Sequence, residues 1–171
     1  QPLRSGASYT ARVAADLKDA LGNPMKGAFA WSFSTARPQV LTISPQQDAS
    51  GVSVEPSIQV QFNGPVESDI QQALVLRGPD GGAVPFRSRY LTDTVVLTPE
   101  QRLAFDTRYQ VFIPAGAAAS AGGAGLNQDF VSAFRTAPLP RILATTPADG
   151  AQNVSAWSDF AILFNAPIDP D

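Results

Sequence analysis

The chain reads "FNGPVESD" at Phe62–Asp69 and "FNAPIDPD" at Phe164–Asp171, one phrase stated twice at a spacing of 102 residues. The echo extends outward in both directions. Residues 1–69 align with 101–171: Gln1, Leu3 and Tyr9 meet Gln101, Leu103 and Tyr109, "FST" at Phe33–Thr35 meets "FRT" at Phe134–Thr136, and "VLTISP" at Val40–Pro45 meets "ILATTP" at Ile142–Pro147. A period of this length is too long for a solenoid repeat and suits an independent β-sandwich. Short Pro-bearing joints fall at "TARP" (Thr35–Pro38) and "TAPLP" (Thr136–Pro140). The expected organisation is therefore a complete module over 38–137. Residues 1–36, before it, read as the last strands of a similar module, and 139–171, after it, as the first strands of another.

Alternating apolar residues give the fold class. "SIQVQF" puts Ile58, Val60 and Phe62 on one face and Gln59 and Gln61 on the other, and "FAILF" does the same with Phe160, Ile162 and Phe164. Further strands read as "QVLTI", "ALVLRG", "VPFRSRY", "TVVLTP", "RYQVFIPA" and "DFVSAFRT", divided by turn signals such as "GPDGG". Seven strands in about 100 residues predict an all-β, immunoglobulin-like or fibronectin III-like Greek-key sandwich. "VESDIQQAL" has room for one short helical turn. Leu103, Thr107 and Tyr109 stand just before an alternating strand, the setting in which a Tyr folds back to bond the chain upstream, and Leu3 and Tyr9 repeat it.

Composition narrows the chemistry. The chain has 171 residues, 44% of them hydrophobic and 16% charged, enough to bury a core. Its 13 Gly and 15 Pro suit a protein of many turns. A net charge of −3, with the arginines scattered, speaks against a nucleic-acid partner. No apolar run approaches the roughly 18 residues of a membrane span. Cys and His are both absent. That removes disulfides, thiolate nucleophiles, imidazole ligands and every His-based triad, leaving carboxylate, Lys, Tyr and hydroxyl chemistry.

In order along the chain, "LRSGASYTARVAADLKDALGNPM" (Leu3–Met25), "WSFST" (Trp31–Thr35), "TPADGAQNV" (Thr146–Val154) and "FNAPID" (Phe164–Asp169) resemble the bacterial Ig-like repeats of the fifth family. The resemblance covers essentially the whole chain and implies a non-catalytic spacing or presenting module. It also implies an extracellular or cell-envelope location in a bacterium, and other domains of the same polypeptide as partners. Close variants with "FN-P" strands also resemble the leading domains of bacterial alpha-2-macroglobulin-like protease traps. Their thioester needs a Cys, which this chain lacks. The middle module departs from the pattern where "AGAAASAGGAG" (Ala115–Gly125) replaces the "DLKDALGNP" phrase; it reads as a mobile hairpin tip, with no Lys or helix to make it a phosphate cradle.

Several residues have a bland and a sharp reading. Asp16, Asp19 and Asn23 gather three oxygen side chains, as a calcium loop would, but their spacing is not that of an EF-hand and a hairpin turn explains them. No other cofactor is expected. Glu67 with Asp69, and Asp169 with Asp171, could be acid–base pairs, yet each follows a strand beside a Pro, where carboxylates accept backbone N–H bonds or cap a short helix. Asn63 and Asn165 recur at one place and are expected to bond the backbone. Phe29, Trp31 and Phe33 alternate along a strand: in a whole module they are core, and the sharper alternative is an aromatic platform for a carbohydrate or another surface ligand. Trp157, in a turn, is the foremost single candidate for a contact residue. Two incomplete modules would also expose wide apolar faces, which predicts self-association by strand exchange between copies.

Overall fold

The computed structural model describes residues 2–166. Its strands are β1 (Ser8–Val13), β2 (Phe29–Ser34), β3 (Val40–Ser44), β4 (Ala49–Val52), β5 (Ile58–Phe62), β6 (Val75–Arg77), β7 (Phe86–Leu91), β8 (Thr94–Pro99), β9 (Arg108–Ile113), β10 (Phe130–Thr136), β11 (Ile142–Thr146) and β12 (Ala161–Phe164). One four-residue helix, α1 (Ile70–Ala73), occupies the place of the expected helical turn. Among the described residues no helix is long and apolar enough to cross a membrane.

Two four-stranded sheets, ordered β3-β5-β8-β7 and β4-β10-β9-β6, make a sandwich, and the chain is all-β and Ig-like in architecture. Alternation does the work the sequence suggested: Ile58, Val60 and Phe62 are buried and Gln59 and Gln61 exposed. On β8, Val95 and Leu97 face the same interior, and Val111 and Ile113 of β9 reach it from the opposite sheet. Ile70, Leu74, Leu103, Leu126 and Phe134 complete one core. Burying side chains of this kind stabilises by roughly 1.5–3 kcal/mol each before chain entropy is subtracted.

The sandwich holds eight strands where the sequence suggested seven. The extra one, β4, reads "ASGV", pairs in parallel with β10 through a register shift, and carries Gly51 at φ +69°. Four residues with a left-handed glycine have no alternation to see.

Flanking the sandwich are two hairpins, β1-β2 and β11-β12. Their registers copy the sandwich. Tyr9 faces Phe33 as Tyr109 faces Phe134, and Val13 faces Phe29 as Ile113 faces Phe130. At the other end, β3 and β5 shift register between Val40 and Thr42, and β11 and β12 shift between Ile142 and Ala144. A bulge repeated at the same place is a built feature of a strand pair.

Candidate functional site

Three kinds of structure carry the residues singled out above: the joints, the open hairpin faces and the exposed turns.

The joints are built from a recurring set of polar side chains. Asn63 accepts the Gln39 N–H at its Oδ1 (3.0 Å) and donates its Nδ2 to Arg37 O (3.0 Å). Asn165 accepts from Arg141 N–H (2.7 Å) and donates to Leu139 O (3.2 Å). One carboxamide thus reads two backbone groups of the incoming linker at each joint, more than the local bend expected of it. Tyr109 Oη accepts the Ala104 N–H (3.0 Å), and Tyr9 Oη accepts the Arg4 N–H (2.7 Å). A threonine seals each corner: Thr136 Oγ1 donates to Ala104 O (2.6 Å) and accepts the Thr107 N–H (2.9 Å), while Thr35 Oγ1 donates to Arg4 O (2.5 Å) and accepts the Ala7 N–H (3.0 Å). The repeated "FST" and "FRT" marked these threonines in the sequence, but their role as clamps needed the fold. Among the described residues, every buried side-chain nitrogen or oxygen has a hydrogen-bond partner.

The segment Ala115–Gly125 is not the mobile tip that its glycines suggested. It lies against the N-terminal hairpin: Ser5 donates its N–H to Ser120 O (3.1 Å), and Ala124 N–H donates to Ser5 O (2.7 Å). Glu67 flanks the segment, giving its N–H to Ala119 O (2.9 Å) and accepting the Gly122 N–H at its carboxylate (2.7 Å). That carboxylate therefore serves the backbone. Asp69 stands at the N-cap of α1 without a side-chain cap bond. Asp169 and Asp171 lie outside the described residues.

The "DLKDALGNP" turn closes on itself. Asp19 Oδ1 accepts the N–H groups of Leu21 and Asn23 (2.9 Å each), and Oδ2 accepts Asn23 Nδ2 (2.9 Å). Those bonds, the Asn23 side chain first and its backbone N–H next, hold the Asp19 carboxyl below the usual carboxylate range. Both of its oxygens are committed to the turn, so a calcium ion would have to displace three donors to use them. No group of three or more His, Cys, Asp or Glu among the described residues has the geometry to hold a metal. Asp19 and Asn23 are thus tied together within the turn, and Asp16 lies outside these bonds.

The hairpins expose the faces that the sandwich buries. Phe29, Trp31 and Phe33 are all exposed on β2, with Tyr9 stacked on Phe33 (5.6 Å) and Phe29 on Trp31 (5.9 Å). Their counterparts on β10 include Phe134, which is buried and stacked on Tyr109 (5.9 Å). On β12, Ile162 is exposed and Phe164 half-buried, whereas Val60 and Phe62, their equivalents, are buried. Phe160 and Ile162 border a shallow apolar depression with Thr145 and Val154. Trp157 is 95% exposed, in a turn where its N–H bonds Ser155 Oγ (3.2 Å). It is far in sequence from the β2 aromatics, and among the described residues it has no aromatic stacking partner.

Comparison with known proteins adds the following. The model of a bacterial Ig-like domain family matches residues 35–136. No curated protein matches the sequence. Solved structures of similar shape include L,D-transpeptidase 1 of Mycobacterium tuberculosis, at 18% identity and a TM-score of 0.41, covering 64% of this chain and 44% of that one. An L,D-transpeptidase from Mycobacterium smegmatis is 17% identical with a TM-score of 0.43, covering 63% and 42%. The N-terminal part of a bacterial S-layer protein is 14% identical with a TM-score of 0.43, covering 64% and 25%. The matched stretch thus spans less than half the length of each of these structures.

Proposed function

The chain belongs to the bacterial Ig-like domain family, and from that membership we propose that it is a non-catalytic spacer: a stretch of tandem Ig-like modules holding other domains of a bacterial envelope or secreted protein in position. On this reading 38–137 is a whole module, 1–36 the last strands of one before it and 139–171 the first strands of one after it. The observation that carries it is the paired Asn clamp, in which Asn63 and Asn165 each grip the linker before their module with the same two bonds, one at Oδ1 and one at Nδ2. An alpha-2-macroglobulin-like protease inhibitor is one parent that fits the resemblance, any trapping chemistry lying outside this chain.

The exposed aromatic residues have a direct bearing on partners. Phe29, Trp31 and Phe33 on one hairpin, and Phe160 and Ile162 on the other, sit on surfaces whose equivalents meet across the sandwich core. Neighbouring strands of the same polypeptide cover them in a complete module. In a preparation of these 171 residues alone, the hairpins of two copies pair instead. The second reading, an adhesin-like module for carbohydrate or another surface ligand, is favoured by one observation, the nearly complete exposure of Trp157.

One sample tests both points. Sedimentation velocity is expected to show a concentration-dependent dimer that is lost when Trp31 and Phe160 are both replaced by Ser. An array of bacterial cell-wall and capsular glycans is expected to give no signal above background. Glycan binding that disappears with Trp157→Ala would replace the spacer reading with the adhesin one.

A further inference from the structure

Ser5 is 8% exposed although it lies in the turn leading into the N-terminal hairpin, whose second strand is open to solvent throughout. What covers it is the Gly/Ala segment of the sandwich. Besides its two backbone bonds to Ser120 and Ala124, its hydroxyl donates to Ala124 O (2.7 Å) and accepts the Ser120 N–H (3.0 Å). A single residue therefore uses its N–H, its C=O and both capacities of its hydroxyl on one five-residue stretch, Ser120–Ala124.

The fit is also steric. A Cβ on Gly123 would come within 2.3 Å of both Ser5 N and Ser5 O. A Cβ on Gly6 would come within 2.9 Å of Ala124 Cβ and 2.8 Å of Arg37 Cγ. Neither approach tolerates a methyl group without movement. Gly125 is different: its added Cβ would strike Gly116 O at 1.9 Å, inside the segment itself. Gly123 faces the neighbouring hairpin and Gly125 shapes the loop.

The same corner exists in the sandwich with other residues. Gly6 N–H donates to Ala36 O (3.0 Å) and Asp106 N–H to Ala137 O (2.9 Å). Both residues have positive φ, +60° and +48°. With the tyrosine and threonine clamps also superimposing, Ser5–Gly6 corresponds to Phe105–Asp106. The first corner is small and neutral. The second is large and charged: Phe105 is 37% exposed, and Asp106 is bonded to Arg135 (2.8 Å), which together with the Arg135 and Arg141 charges holds its carboxyl below the ordinary range.

We infer that Ser120–Ala124, backed by Glu67, is a socket for the corner of the preceding module, and that it accepts only a corner of two small residues such as Ser5–Gly6. This rests on the tandem-module reading and deepens it. Docking fixes the angle between the N-terminal hairpin and the sandwich, and a Phe-Asp corner presented to the same socket is refused by size, since a Cβ at position 6 already meets Ala124 Cβ and Arg37 Cγ. This joint is thereby matched to its own corner, and a module ending in a Phe-Asp corner could not take the place of the first.

Two variants of the full chain test this. Ser5→Phe with Gly6→Asp gives the first corner the residues that the second already carries in the same backbone conformation, so the corner itself remains foldable. Gly123→Ala adds one methyl group whose nearest neighbours are all in Arg4 and Ser5. In both, amide exchange at Ala124 and Ser5 is expected to accelerate by at least about tenfold, while the amides of Val60, Leu97 and Val111 stay as protected as before. Residual dipolar couplings of Ser8–Val13 are expected to lose their fixed relation to those of Arg108–Ile113. Unchanged exchange at Ala124 and unchanged couplings in Gly123→Ala would overturn the socket, whatever the double variant does. Failure of the spacer reading shows instead as Trp157-dependent glycan binding, a separate readout.

Discussion

Replacing Phe62 by alanine is expected to destabilise the sandwich by about 3–5 kcal/mol, the usual cost of emptying an aromatic site in a packed core. Phe62 is 1% exposed and the largest of the fully buried side chains. For a module of about 100 residues this lowers the thermal midpoint by more than about 10 °C. The same substitution at Phe164, its counterpart in the repeated phrase, is expected to change stability by less than about 1 kcal/mol, because Phe164 is only half-buried on an open hairpin. Thermal scans of the two variants side by side check the contrast. Equal losses would mean that the C-terminal hairpin is as deeply packed as the sandwich, against the exposures given above.

Thr136→Val carries the second large effect. Valine has nearly the shape of threonine but offers nothing to Ala104 O or to the Thr107 N–H, which Thr136 Oγ1 serves at 2.6 and 2.9 Å. Thr136 is 1% exposed, so water cannot easily substitute. Both backbone groups are only partly buried, so leaving them without the hydroxyl is expected to cost about 1–3 kcal/mol for the pair. Thr35→Val removes the matching bonds in the N-terminal hairpin, where solvent reaches the site, and is expected to cost less than half as much. Urea unfolding reads both. An unchanged slope with a shifted midpoint marks a loss of stability without a change in the surface exposed on unfolding.

These contrasts show what was legible in the sequence. Local periodicity was sufficient for β5, because Ile58, Val60 and Phe62 alternate without interruption and the fold buries all three. The two tyrosine corners were legible because the residues that make them lie close together in the chain: Tyr109 bonds Ala104, five residues away. Strand β4 was not, since "ASGV" pairs through a register shift and hides no alternating apolar face. The socket was hidden for another reason. Ser5 meets Ser120 and Ala124 across 115 and 119 residues, and a glycine tolerated for close approach looks the same in sequence as a glycine in a loose tip. Only Gly123's neighbours distinguish the two.

The threonine clamps lie between these cases. "FST" and "FRT" were visible as a repeat, but each hydroxyl bonds backbone about 30 residues upstream, and no local rule assigns such a partner. Likewise the alternation of Phe29, Trp31 and Phe33 favours an inward face over an aromatic platform, but their register against β1 is not legible in the sequence. Tyr9 opposite Phe33 and Val13 opposite Phe29 match the register of β9 on β10, whose corresponding face is interior.

Residues 38–137 are expected to fold without the flanking hairpins, and thermal unfolding of that segment by itself tests this most directly. The prediction is one cooperative transition with a midpoint within a few degrees of that in the 171-residue chain. A segment that fails to fold, or melts without cooperativity, would contradict it.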